Sequence, residues 1–371
     1  MGKIYLDYNA STPLASEVIE AMKPLFTDYY GNPSALHWAG EPVKGLLNNA
    51  REQVANLIGC TPSEVIFTSG GSEANNLALK GYFFKNQHKG KHIITSKIEH
   101  PAVMNPCRFL EKIGAKVSYV GVDQYGRVSP EEIEKLITNE TILISIMHSN
   151  NETGTIQPIK EIGKLAKKHH ISFHTDASQS VGKVPIQVNE LEVDMLTIAG
   201  HKLYAPKGIG ALYLKKGVEV EPLIHGASHE FGLRAGTENT LLAVGLGKAC
   251  EIARTHLTTD QVRELTEYFW QRLKEEFGEK VVLNGHAEER LPNTLNVNFV
   301  GKIGQELLAA IPNLAASTGS ACHAGSVELS PVLKEMGVSE EVGKGAVRFS
   351  LGRDTTKDEL NQVLEWLVEC N

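Results

Sequence analysis

Cysteine is sparse and shows no pairing pattern: the 371 residues hold five, Cys60, Cys107, Cys250, Cys322 and Cys370, with no C-x-x-C spacing. An odd, scattered set supports neither a disulfide framework nor a zinc site, so each thiol is expected to be free and no metal is expected. Long apolar runs are missing too. Nothing approaches the roughly 20 residues that a helix needs to cross a bilayer, and Met1 leads straight into the strand-like Lys3-Ile4-Tyr5-Leu6-Asp7 without a signal-peptide pattern. The expectation is a cytoplasmic protein with no membrane partner. Basic blocks are also absent: 37 Lys and Arg against 44 Asp and Glu give a net charge of −7, which argues against nucleic acid as a partner. Nor does a G-x-G-x-x-G follow a strand. Gly208-Ile209-Gly210-Ala211-Leu212-Tyr213 breaks at its last position and leads into a strand-like run, so dinucleotide chemistry fits poorly.

What is present is an ordinary globular composition, 42% hydrophobic and 22% charged, in a chain long enough for two apposed units with a cleft between them. Val43, Leu46, Leu47, Ala50, Val54, Leu57 and Ile58 recur at three- and four-residue spacing before Gly59, which predicts an amphipathic helix over 43–58. Short apolar runs at 65–68, 92–95, 117–120, 142–146, 171–174, 195–198 and 211–214 read as strands, several separated by helical stretches such as 159–169. That alternation predicts an α/β fold around a mainly parallel sheet covered on both faces. After about residue 255 the texture changes to a polar helix near 259–277, strands at 294–300 and 347–351, and a closing helix from about 357. A large unit over 13–255 is therefore expected, with a smaller α+β unit made of 1–12 and 256–371.

In such a sheet, ligands sit beyond the carboxyl ends of the strands. There the sequence puts Thr68-Ser69-Gly70-Gly71-Ser72, Glu99-His100, His148-Ser149-Asn150-Asn151-Glu152, Asp176-Ala177-Ser178-Gln179 and Gly200-His201-Lys202. Each has an ordinary structural explanation when taken singly: a capped glycine turn, a core histidine, a helix cap, a surface lysine. Together they suit pyridoxal 5'-phosphate (PLP), which needs an amine for its aldehyde, a carboxylate at its ring nitrogen, a flat group over the ring and a seat for its phosphate. Lys202, Asp176, His100 and the Gly71-Ser72 turn meet those needs. Two further features lie in the smaller unit. Ser317 to Ser326 is a small, polar stretch around the single thiol of Cys322, suited to a mobile loop. Arg348 stands on an apolar strand, where a guanidinium needs a carboxylate or phosphate partner, either a ligand's or the protein's own.

Taken in order, Leu6-Asp7-Tyr8-Asn9-Ala10-Ser11-Thr12-Pro13, Gly31-Asn32-Pro33-Ser34, Thr68-Ser69-Gly70-Gly71-Ser72-Glu73, Glu99-His100, Asn150-Asn151-Glu152, Asp176 to Ser180, Gly200-His201-Lys202, Arg234-Ala235-Gly236-Thr237, Gly319-Ser320-Ala321-Cys322 and Arg348 to Arg353 resemble the PLP-dependent cysteine desulfurases and selenocysteine lyases across almost the whole chain. The resemblance implies the class-V aminotransferase-like, aspartate-aminotransferase fold (fold type I) with a seven-stranded sheet in its large domain. It implies that Lys202 holds the cofactor and moves the substrate's α-proton, that His100 stacks on the ring, and that Gln179 contacts the ring hydroxyl. Asn151 would also face the cofactor. Gly71, Ser72 and His201 would seat the phosphate, joined by Thr237 from a second subunit in a homodimer, and Asn9, Asn151 and Arg348 would bind the substrate. Cys322 would take sulfur from L-cysteine as a persulfide, giving L-alanine, with an acceptor protein to receive it. Ala199 and the Cys322-His323 pair also resemble selenocysteine lyases, which leaves L-selenocysteine as the alternative substrate.

Overall fold

Side chains that alternate in and out of each short strand give the main sheet two apolar faces. Val65, Phe67, Leu196, Ile198, Ala211 and Tyr213 join one core, while Ile66, Met195, Leu212 and Leu214 join the other. The computed structural model describes residues 2–256, 260–318, 322–323, 326–327 and 329–370, with 256, 322–323 and 326–327 described by backbone alone. After β1 (Ile4–Tyr5), seven strands form one sheet: β2 (Val65–Thr68), β3 (His92–Ser96), β4 (Lys116–Val120), β5 (Thr141–Ser145), β6 (Ser172–Asp176), β7 (Met195–Ala199) and β8 (Gly210–Leu214). Their order is β2-β8-β7-β6-β5-β3-β4, and only β8 runs against its neighbours. This is the mainly parallel seven-stranded α/β fold that the sequence predicts.

The helix Glu41–Ile58 starts with Pro42 in its first turn and stops at Gly59, whose φ of 73° is left-handed. It packs along Thr240–His256, where Leu246, Ala249 and Cys250 are buried. The sequence reading did not anticipate Thr240–His256. This helix is apolar around most of its circumference, so a 3.6-residue period barely shows.

In the second half come β9 (Val281–Asn284), β10 (Thr294–Phe299), β11 (Leu314–Ala315), β12 (Cys322–His323), β13 (Ser326–Val327) and β14 (Ala346–Ser350). An antiparallel sheet β14-β10-β9 is backed by the helices Asp260–Phe277 and Lys357–Glu369, and the second helix starts at a Thr356–Glu359 capping box. Phe269 meets Phe349 edge to face at 5.2 Å, and Phe277 meets Phe299 at 5.5 Å. The amino-terminal residues join this half: β1 pairs with β11, and Asp7 bridges to Ser350. Val332, Leu333, Met336 and Ala346 then pack on Ile98 and Met147 of the large sheet's rim, which closes the two halves on each other beside His100. Among the described residues, no helix is long and apolar enough to cross a membrane.

Candidate active site

Because β2, β3, β5, β6 and β7 share a direction, the polar residues after them gather on one rim, around a cleft of about 760 Å³. Lys202 sits on the tight turn Gly200–Lys202 after β7. Its Nζ donates to the backbone carbonyls of Asn9 and, at 2.8 Å, of Ala10. Enclosure in the cleft, and then the neighbouring Arg348 charge, push its pKa down to about 8 against the opposing pulls of Asp7 and Asp176. A substantial share of the amine is therefore neutral and nucleophilic near neutral pH.

Asp176 ends β6, buried at 7% exposure. Both its oxygens are occupied: Oδ2 accepts from Asn75 Nδ2 at 2.7 Å and Oδ1 from the Ser178 N–H at 2.9 Å. His100 caps the helix Pro101–Lys112, with Nδ1 accepting the Ala102 N–H at 3.1 Å. Desolvation lowers its pKa, aided by Lys202 and opposed by Asp176, so the ring facing the cleft is neutral.

Gly70, with φ of 150°, turns the chain from β2 into the helix that begins at Gly71, leaving Ser72 exposed to the cleft. A Cβ on Gly71 would lie 3.0 Å from Ser178 Oγ and 3.2 Å from Ala199 Cβ, so the turn lies close against the end of β7. His201 stands beside it, its pKa pushed down to about 4 by burial and by Lys202 and Lys207. Backbone N–H groups at a helix start, with a serine hydroxyl and a neutral imidazole, make an anion seat.

Near Lys202 on the cleft wall, Arg348 donates from Nη1 to the Asn151 carbonyl at 2.8 Å and from Nη2 to Asp7 Oδ1 at 2.7 Å, while its buried Nε has no partner. The arginine therefore has a structural partner of the protein's own, Asp7, while it lines the cleft. Asn9 enters the cleft through its carbonyl. Its side chain turns away, onto Thr294, Lys183 and Asn293.

Gln179 is buried on the cleft wall, and its Nε2 donates to the Asn9 carbonyl at 2.9 Å. Thr237 is exposed and lies off the cleft of its own chain. The backbone of Cys322 pairs with Val327 in the β12–β13 ladder; its side chain, and residues 319–321 and 324–325, lie outside the described residues.

Sequence reasoning missed Asn75 and Lys183. Glu99, beside His100, is buried behind the rim rather than on it. Its Oε1 accepts from Ser96 Oγ at 2.6 Å and the Met147 N–H at 2.9 Å, and burial pushes its pKa up to about 8.

The fold and the rim define the class: the family model for class-V aminotransferases matches residues 4–363. The chain is 48% identical to the cysteine desulfurase IscS of Dictyoglomus turgidum, covering 99% of this chain and 95% of the relative. It is also 48% identical to the IscS of Methanosarcina thermophila, over 99% and 91%. It belongs to the cysteine desulfurase family. Among solved structures, a NifS-like protein superposes with a TM-score of 0.93 at 37% identity over 99% of this chain and 98% of the other. A structure described as SspA in complex with cysteine matches with a TM-score of 0.84 at 43% identity, over 94% and 98%.

Proposed function

We propose that this protein is a PLP-dependent cysteine desulfurase that removes sulfur from L-cysteine, leaving L-alanine and a persulfide on Cys322. The observation that carries this reading is the joint position of the Lys202 amine, its pKa down at about 8, and the buried Asp176 carboxylate, which line one cleft with the Gly71 turn. Full-length relatives that are cysteine desulfurases, and a similar structure holding cysteine, support the amino-acid substrate. The selenocysteine alternative is not favoured by these relatives.

The donor set fits the cofactor. Lys202 would hold its aldehyde, Asp176 its ring nitrogen, and His100 its ring face. Gln179 and Asn151 would line its edge, and Gly71, Ser72 and His201 would hold its phosphate. When bound, PLP supplies an electrophilic carbon for the substrate amine and a ring that accepts the electron pair left at the α-carbon. Asn75 and the Ser178 N–H fix both oxygens of Asp176, so the carboxylate is aimed before any ligand arrives. Arg348, on the cleft wall and held against Asn151 and Asp7, is assigned with Asn151 to the substrate carboxylate, and Asn9 contributes its carbonyl to holding Lys202. Lys202, once its amine is released, takes the α-proton. The Cys322 thiolate then attacks the substrate sulfur: a sulfur–sulfur bond forms, the Cβ–S bond breaks, and its electron pair stays with carbon, which gains protons to become alanine. Thr237, off its own cleft, is assigned to the phosphate of a second copy in a homodimer. The persulfide is assigned to an acceptor protein.

A transaminase would use Lys202, Asp176 and His100 but would have no need for Cys322. With PLP-loaded protein, L-cysteine and a thiol reductant, sulfide and alanine should appear in equal amounts. Cys322→Ala should lower sulfide release more than about hundredfold while the visible band of the bound cofactor stays. Unchanged sulfide release in that variant rejects the persulfide route.

A further inference from the structure

Behind Lys202 lies a second lysine whose partners are both amides. Lys183 Nζ donates to Gln179 Oε1 at 3.0 Å and to Asn9 Oδ1 at 3.1 Å. Burial, and then the Lys202 and Arg348 charges, hold the pKa of Lys183 well below the ordinary lysine range. In either protonation state it is placed here as the donor to both amide oxygens, which turns each NH2 elsewhere. Gln179 Nε2 accordingly donates to the Asn9 carbonyl at 2.9 Å, and Asn9 Nδ2 donates to Thr294 Oγ1 at 2.8 Å. That same Asn9 carbonyl receives Lys202. Flipping the Gln179 amide would set its NH2 against the lysine's N–H groups and its oxygen against the Asn9 carbonyl.

We propose that Lys183 is a positioning residue: it locks the Gln179 amide with its NH2 on the cleft side, so that the ring-hydroxyl oxygen of the cofactor meets a hydrogen-bond donor and never an acceptor. The proposal rests on the PLP reading above. A donor there favours the ionised oxygen, so the locked amide lowers the pH at which the bound cofactor loses its shared proton. The other charged or titratable groups facing this corner are Lys202, Asp176, His100, Arg348 and Asp7, and all of them remain in place when residue 183 is changed.

The test is a pH titration of the visible absorbance of the PLP-loaded protein. Lys183→Met is expected to raise the midpoint by about one pH unit, a roughly tenfold change in proton affinity and the scale of one hydrogen bond to an ionised group. Lys183→Arg, which keeps N–H donors against both amide oxygens, is expected to keep the wild-type midpoint. Loss of the lysine's own charge would shift the midpoint in the same direction, and a double-mutant cycle separates the two causes. In a Gln179→Leu background the Lys183→Met shift should vanish if it acts through the amide. A shift that persists there, or an unmoved midpoint in Lys183→Met, overturns the proposal. If Lys183→Met does not fold, Lys183→Gln takes its place. Its side chain can offer either end to the Gln179 amide, so a smaller upward shift is expected and an unmoved midpoint overturns the proposal. A wild-type protein that takes up no PLP would overturn the functional reading itself, whereas a coloured wild type with an unmoved midpoint in the variants overturns this proposal alone.

Discussion

Lys202 and Arg348 share one corner of the cleft, and each changes what the other can do. An exposed lysine amine would be almost wholly protonated at neutral pH. Here burial first, and the guanidinium second, bring the pKa from its ordinary 10.5 to about 8. Capture of PLP by the cofactor-free protein needs the neutral amine, so the capture rate should climb with pH and level off above about 8. Arg348→Gln removes the charge effect acting in this direction and should move that midpoint upward, and Asp176→Asn should move it downward. Growth of the visible band after mixing, followed from pH 6 to 10, checks all three. A wild-type midpoint near 10 would mean that the amine is not enclosed as described.

The elements that carry the rim are held by close backbone approach. β8 lies between β2 and β7, and a Cβ on its Gly210 would sit 2.5 Å from the Ile198 carbonyl oxygen and 2.7 Å from the Gly70 carbonyl carbon. Both obstacles are backbone, so Gly210→Ala must move a strand or the Gly70-Gly71 turn. A loss of about 1–3 kcal/mol is expected in denaturant unfolding, together with weaker PLP binding. Glu99, after β3, acts on the pH dependence. Its folded pKa, about 8, exceeds the ordinary 4.5, so the stability it contributes is fully present below about 4.5 and is lost as pH rises toward 8. Glu99→Gln should flatten that slope, which unfolding at pH 5 and pH 8 would reveal. At this scale the strands were legible because their apolar letters recur in short runs, and Asp176 and Lys202 were legible because they end such runs. Asn75 and Lys183 were not. Asn75 matters only through Asp176, 101 residues away, and Lys183 only through Gln179 and Asn9, the second 174 residues away, and no local pattern encodes such partners. Asn9 shows the same limit: its identity was readable, but not that its carbonyl, rather than its amide, would face the cleft.

Across the whole molecule, one cleft draws on both halves of the chain, yet the exposed Thr237 is not among the residues that line it. On the same surface scale, Phe26, Tyr30, Leu36 and Trp38 are each more than two-thirds exposed within one short segment, an apolar concentration that suits burial against another copy of the chain. Both observations support a dimer whose sites are each completed by the neighbour, and mixed dimers test it. If Ser72 and Thr237 each make one phosphate contact, as proposed, Ser72→Ala and Thr237→Val should each leave a homodimer that binds PLP about tenfold more weakly, the worth of one hydrogen bond to a charged group. In a mixed dimer, the Thr237→Val chain keeps its own Ser72 and borrows an intact Thr237, while the Ser72→Ala chain loses both contacts. Half the sites should then bind at the wild-type affinity, and PLP titration should be biphasic. If Thr237 served its own chain, every site in the mixed dimer would lack one contact and none would bind as the wild type does.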